Sequence, residues 1–141
     1  GAVIDQGAIG PMLIRPLTNA ADLAEWAMGE GFADLRPSAW HLSVARIHKR
    51  PHPIQLDSSP VALDPDRGRT LARRGGLVAL EFGSHVLSDR HETHRLAGAT
   101  WDFAIYRPHV SFMVDDGRDL RSARPFSGPL MFGPEIFDIS W

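Results

Sequence analysis

The chain has 141 residues, of which 43% are hydrophobic and 23% charged, the size and composition of one soluble globular domain with its own core. Its formal net charge of -2 argues against a protein that binds long nucleic acids, and no long apolar run predicts a membrane span. It contains no cysteine, which excludes disulfides and thiolate chemistry.

The first residues carry no secretory signal, which makes a cytoplasmic protein the default expectation. Gly1 in place of Met indicates a cleaved tag or a piece of a longer polypeptide. In chain order, the first half is predicted to contain a strand, a helix capped by Thr18 or Asn19, a strand and at most one short strand among prolines: residues 12–17, 20–29, 39–47 and 54–56.

The second half is predicted to be richer in strands. Ser88 is expected to cap a helix over residues 89–97, which Gly98 ends. The strands are expected at residues 61–63, 69–73, 77–82, 105–114, 130–132 and 136–141.

A His-x-Ser tripeptide occurs twice, each time in a predicted strand, at residues 41–43 and 109–111. Because alternate side chains of a strand share a face, the histidine and serine of each copy point to one side and apolar neighbours to the other. Two copies in equivalent strands indicate a cleft lined by two imidazoles and two hydroxyls. The candidate catalytic residues are His41, Ser43, His109 and Ser111.

The order of elements around the two tripeptides repeats. Strand, helix, loop and His-x-Ser strand occupy residues 12–45 and return at residues 77–114, and strands follow within residues 127–141. This pattern predicts an α+β fold: two pseudo-symmetric lobes of mainly antiparallel sheet with outer helices around a central cleft. The whole chain, residues 1–141, is expected to form this single domain.

Two imidazoles facing one cleft are suited to acid–base chemistry on a phosphodiester. A neutral imidazole removes a proton from the attacking hydroxyl or water, while a protonated one donates to the leaving oxygen. The serine hydroxyls would stabilise the charge that develops on the phosphate oxygens. The residues do not decide which histidine is the base, and no metal or other cofactor is needed.

The paired motifs resemble the two-histidine phosphoesterase superfamily, whose members carry two His-x-Ser/Thr motifs on pseudo-symmetric lobes. The run at residues 127–135 is similar, more narrowly, to the phage anti-CBASS nucleases. The chain has Ser at both hydroxyl positions where that superfamily often has Thr, which keeps the hydrogen bond but loses the methyl that fixes the rotamer.

The resemblance implies that the His/Ser quartet is catalytic and that four further residues bind substrate. Glu135 would contact a base or ribose, although a solvated strand-end carboxylate is the alternative, and Trp141 would stack on a base or else be a frayed end or core residue. The other two expected substrate-binding residues are Tyr106 and Arg107.

The function implied by the resemblance is metal-independent cleavage of the 3′–5′ bonds of cyclic di- or trinucleotide immune messengers to linear products. The protein would then be part of a phage polypeptide acting in the cytoplasm of an infected bacterium, with no membrane and no long nucleic acid as partner; its oligomeric state is not predicted. Two alternatives stay open: an enzyme acting on RNA ends or 2′–5′ linkages, and a non-catalytic nucleotide-binding or virion-associated domain.

Other polar groups are assigned to ordinary surface roles. His91 and His94 are expected to form a surface pair rather than a zinc site, since no third and fourth ligand is evident, and His48 and His52 are expected in loops. Arginines in the segment 67–74 are predicted to belong to a solvated hairpin, with a cleft-mouth role as the alternative.

Overall fold

Within residues 10–36, 39–48 and 51–138, which a computed structural model describes, the chain forms a six-stranded antiparallel sheet, a two-stranded sheet and two α-helices. The α+β class expected from the sequence is confirmed. In spatial order the large sheet contains β4 (Thr70–Arg74), β5 (Leu77–Glu81), β6 (His109–Val114), β2 (His41–Arg46), β1 (Met12–Pro16) and β8 (Ile136–Phe137). The remaining elements are α1 (Ala20–Gly29), β3 (Val61–Leu63), α2 (His85–Leu96), a 3₁₀ turn (Leu120–Ser122) and β7 (Leu130–Phe132), which pairs with β3.

The predicted repeat is present as β1-α1-β2 and β5-α2-β6. The first strand of each unit pairs antiparallel with its His-x-Ser strand, and Pro16 faces His41 as Glu81 faces His109. Each pairing also contains a bulge at the same place, one residue beyond the serine. The two units therefore agree in element order, in register and in the position of an irregularity.

The core lies on the sheet face opposite the histidines. Leu42, Val110 and Phe112 are fully buried there, and Trp26 of α1 packs edge-on against Phe112 with ring centroids 5.4 Å apart. The bulge in β6 reverses its alternation after Phe112. Val114, which parity alone places in the core, is consequently 58% exposed.

Helix α2 begins four residues earlier than predicted, and Ser84 rather than Ser88 is its cap. Ser84 is extended, and its hydroxyl accepts a hydrogen bond from the backbone N–H of Leu87. Ser88 lies within the first turn, where its N–H donates to the carbonyl of Ser84. Helix α1 has the predicted bounds, but the side chain of Asn19 bonds to the β7 region instead of capping the helix backbone.

Both His-x-Ser strands start later than predicted. Pro108 has no N–H to donate to a ladder, and β6 begins after it. Ala39 has a left-handed φ of 60°, and β2 begins two residues later. No strand forms at residues 54–56, and of the predicted closing strand only Ile136–Phe137 is a strand among the described residues; residues 139–141 lie outside them. Within the described ranges, no helix is long and apolar enough to cross a membrane.

Candidate active site

The two histidines and two serines lie on the solvent-facing side of the large sheet, where β2 and β6 meet. All four side chains are half-buried, and the residues that alternate with them are buried in the core. The face predicted from strand parity is therefore the one observed.

The geometry of this face depends on the pairing of Leu42 with Val110. In an antiparallel pair the flanking residues face one another in register, so each histidine is in register with the serine of the other tripeptide. Between the described parts of β2 and β6 the pairing of Leu42 with Val110 is the one ladder position.

Both imidazoles are held by the same kind of hydrogen bond, from Nδ1 to the backbone carbonyl two residues earlier. His41 Nδ1 lies 2.7 Å from the carbonyl oxygen of Ala39, and His109 Nδ1 lies 2.9 Å from that of Arg107. A carbonyl only accepts, so Nδ1 carries a proton in each ring. Nε2 is then the nitrogen that gains or loses a proton, and neither Nε2 has a hydrogen-bond partner among the described residues.

The surroundings of His109 favour its neutral form. Burial lowers the pKa of His109, the hydrogen bond to the Arg107 carbonyl opposes this, and the nearby charge of Arg74 lowers the pKa further while that of Glu81 raises it. His41 also contributes a lowering effect on the pKa of His109, which indicates that the two rings are close enough to interact.

This set of groups can perform acid–base catalysis on a bound diester. It supplies two imidazoles, whose Nε2 atoms have no partner in the described ranges, and two hydroxyl donors on one accessible surface. No cluster of three or more His, Cys, Asp or Glu side chains in the described part of the chain is placed to hold a metal ion.

His91 and Tyr106 support the strand that carries Ser43. The Tyr106 hydroxyl donates to the Ser43 carbonyl at 2.7 Å, and His91 Nδ1 donates to the Val44 carbonyl at 2.5 Å. Their rings stack at 3.8 Å and 6°, with Trp101 edge-on to both. Burial raises the pKa of the Tyr106 hydroxyl and lowers that of His91, so both groups are neutral supports. The Tyr106 hydroxyl thus bonds to the backbone of β2, and its contact with substrate stays a prediction.

The prediction that His91 and His94 form a surface pair is wrong. His91 and His94 are 4% and 0% exposed, because both lie on the face of α2 that packs against the protein. His94 Nε2 donates to Glu135 at 3.0 Å, and its Nδ1 accepts from His52 at 2.9 Å. His52 is a loop residue as predicted, and His91 and His94 have structural roles.

Glu135 is 3% exposed and lies among cations, so the solvated alternative does not describe it. Its carboxylate accepts two hydrogen bonds from Arg90, at 2.7 and 3.0 Å, and one from the backbone N–H of Asp57 at 2.9 Å. The buried guanidinium of Arg15 lies 3.6 Å away and donates to Asp57 at 2.6 Å. A direct contact between Glu135 and a base or ribose stays a prediction.

The charge of Glu135 is held by its neighbours. Burial alone would raise the pKa of this carboxyl, but hydrogen bonds from His94, Arg90 and the Asp57 backbone outweigh it and bring the pKa down to about 2. The network joins β1, α2, the segment after β7 and the loop before β3. It is a buried junction between the C-terminal segment and the rest of the fold.

The other two predicted substrate-binding residues have different positions. Arg107 is exposed beside the quartet, with its Nε 3.8 Å from Glu81, the residue opposite His109. Trp141 lies outside the described residues. The arginine-rich hairpin is only partly solvated: Arg69 is 4% exposed and donates to the carbonyls of Phe126, Gly128 and Asp64.

Comparisons with known proteins agree with one another. A family model described as "Anti-CBASS protein Acb1" matches residues 15–139. An anti-CBASS protein Acb1 of Caulobacter sp. (strain RHG1) is 33% identical over 134 aligned positions, covering 88% of this chain and 21% of the relative. One of Sphingomonas paeninsulae is 32% identical over 152 positions, covering 96% of this chain and 24% of the relative. The chain thus spans between a fifth and a quarter of the length of these relatives.

Proposed function

The chain belongs to the anti-CBASS protein Acb1 family, and we propose that it is a metal-independent phosphodiesterase that opens 3′–5′ bonds of cyclic di- and trinucleotides to linear products. The observation that carries this proposal is the symmetric pair of imidazoles, each tied at Nδ1 to the carbonyl two residues earlier. A module that only binds nucleotides has no need of two matched proton-transfer groups. The pairing also fits the two-histidine phosphoesterase superfamily.

In this mechanism His109 is the base and His41 the acid. A base must be neutral before reaction, and the lowered pKa of His109 favours that state at neutral pH. Its Nε2 takes the proton of the attacking hydroxyl, either water or a ribose 2′-OH, as that oxygen bonds to phosphorus. The bond from phosphorus to the 5′-oxygen breaks, and His41 Nε2–H protonates the departing oxygen.

The two serines act on the phosphate itself. Each is in register with a histidine on the same face of the sheet, so their hydroxyls are available to donate to the non-bridging oxygens of a phosphate bound there. Charge on these oxygens increases in the transition state, and a donor fixed by a strand needs little reorganisation to meet it. Attack by water leaves a linear 3′-phosphate, whereas attack by the 2′-hydroxyl leaves a linear 2′,3′-cyclic phosphate.

Destruction of cyclic signals would give the protein an anti-CBASS role, in keeping with the names of its relatives. We place that role in the cytoplasm of an infected bacterium, with the domain as part of a larger phage polypeptide. Its partner is then a small cyclic oligonucleotide, and neither long nucleic acid nor a membrane is required.

The test is chromatographic. The protein is incubated in EDTA with cyclic di-AMP, cyclic GMP-AMP and cyclic tri-AMP, together with a linear RNA and a 2′–5′-linked oligoadenylate. Conversion of the cyclic compounds to linear products is expected. Cleavage of only the linear RNA or the 2′–5′ linkage would favour an RNA-processing enzyme, and no turnover of any compound would contradict the catalytic function.

A further inference from the structure

A pocket of about 380 Å³ lies beside the quartet and takes no part in the mechanism above. The end of β4, the turn after it and the loop before β6 form its walls. The residues that line it include Arg73, Arg74, Phe103, Ile105 and Arg107.

The pocket opens on the same face of the sheet as His109. In the β4–β5 ladder Thr70 faces Glu81 and Arg74 faces Leu77, so Arg74 and Glu81 are on one face, and Glu81 in turn faces His109 in β6. Arg74 donates to Glu81 at 2.8 Å. The charge of Arg74 also lowers the pKa of His109. The pocket is therefore next to the reacting groups rather than on a remote surface.

The charges around the pocket favour an anion. Arg73 bonds to Asp115 at 2.5 Å and to the Arg118 carbonyl, yet 40% of its side chain is exposed. Arg107 is 57% exposed and only 3.8 Å from Glu81, which Arg74 already holds more closely. Arg73 pairs with Val78 and so belongs to the opposite face of the sheet, whereas Arg107 is exposed on the pocket side and only loosely held, which leaves it able to bind a phosphate.

The pocket also exposes apolar groups, which a purely solvated basic surface does not need. Phe103 and Ile105 are 58% and 70% exposed, in the loop between α2 and β6. The guanidinium of Arg74 lies 5.2 Å from the Phe103 ring centroid and covers one side of the ring. An exposed aromatic ring among arginines is a combination that receives a base and its phosphate together.

We propose that this pocket is a nucleotide subsite, in which Phe103 stacks on one base of the cyclic oligonucleotide and Arg107 binds its phosphate. The inference rests on the proposed function, because it assigns a place to the nucleotide adjoining the scissile bond. A cyclic ligand has at least two nucleotides, and the quartet accommodates one phosphate. The next nucleotide must then lie along the same face, where the pocket is.

The experiment compares Phe103→Ala and Phe103→Trp with a control, Met28→Ala. Met28 is 62% exposed on α1, an element that does not line the pocket. Turnover of cyclic di-AMP, cyclic GMP-AMP and cyclic tri-AMP gives kcat and KM. Calorimetric titration of the same three compounds, with each substitution also made in a His41→Ala background, gives Kd without turnover.

Loss of the stacking ring should raise KM and Kd of the best ligand about 5- to 100-fold with a much smaller change in kcat. Phe103→Trp should restore both values, and Met28→Ala should match the wild type. If the wild type cleaves but Phe103→Ala leaves KM and Kd within about twofold, the subsite is wrong and the proposed function stands. If the wild type binds without cleaving and binding depends on Phe103, the subsite stands and the enzyme assignment is wrong. If none of the three compounds binds, both are overturned.

Discussion

Leu42 of β2 lies directly opposite Val110 of β6, and this pairing arranges the candidate active site around it. Both side chains are fully buried in the core, so the pair fixes which residues on the other face are neighbours. Each histidine is thereby in register with the serine of the other lobe. The two halves of the site are joined by a core contact, and neither half is complete alone.

Removing either hydroxyl should slow the chemical step. Ser43→Ala or Ser111→Ala is expected to lower kcat about 100-fold, because a donor to the developing charge is lost, whereas Ser→Thr at either position keeps the hydroxyl and most of the rate. The measurement is single-turnover cleavage of the cyclic substrate, with exposed Ser127→Ala as control. Wild-type rates in both alanine variants would show that the serines do not act on the phosphate.

The pH profile should identify His109 as the base. Its pKa is lowered, so kcat/KM should rise with pH along an acid limb whose midpoint lies below the ordinary value of 6.5. Glu81→Gln removes a charge that favours the imidazolium and should move the midpoint to lower pH; Arg74→Gln removes a charge that opposes it and should move the midpoint up. Identical profiles in the two variants would contradict this assignment.

Glu135→Gln should destabilise the fold by about 3–5 kcal/mol, because it leaves the buried guanidinium of Arg15 and that of Arg90 without their shared counter-ion. The pKa of Glu135 falls from 4.5 unfolded to about 2 folded, so its contribution is present above pH 4.5 and is lost as pH falls toward 2. Urea unfolding at pH 7 and at pH 3 measures both effects.

The matched control for that experiment is Glu92→Gln, on the exposed side of α2. It should leave the free energy of unfolding unchanged at either pH. If Glu135→Gln is as stable as the wild type but has a much higher KM, the carboxylate contacts substrate, as the resemblance implied, and the buried junction is not its main role.

Tyr106→Phe distinguishes a support from a substrate contact. The hydroxyl bonds to the Ser43 carbonyl, and its loss should lower the free energy of unfolding by about 1 kcal/mol while KM stays near the wild-type value. Chemical denaturation and steady-state kinetics on the same preparation give both quantities. A raised KM with unchanged stability would reverse the interpretation and place the hydroxyl against the ligand.

The His/Ser quartet could be predicted from the sequence because the alternation of side chains along a strand is a local rule. The tripeptide occurs in two predicted strands, so the rule places a histidine and a serine on one face in each of them. The buried junction around Glu135 could not be predicted, since its members come from four separate segments. One signal was available: Arg15 occupies a core-facing position in β1, where its counterpart in the second unit is Leu80, and a charge at such a position needs a partner.

The start of α2 and the burial of its histidines were missed for related reasons. Two serines in that segment can each cap a helix, and the choice depends on which of them is extended at the end of the preceding strand. His91 and His94 are polar by type, so composition alone assigns them to the surface. Only the packing of α2 against β2 and the C-terminal segment reveals which face they share.

The most direct test of the central claim is cleavage of the cyclic panel in EDTA by the wild type, His41→Ala and His109→Ala, with His85→Ala, an exposed histidine of α2, as control. We predict linear products from the wild type and the control, and a rate at least about 100-fold lower in each of the other two variants, since each proton transfer contributes roughly that much or more. Equal rates in all four proteins, or activity that EDTA abolishes, would contradict a two-histidine mechanism.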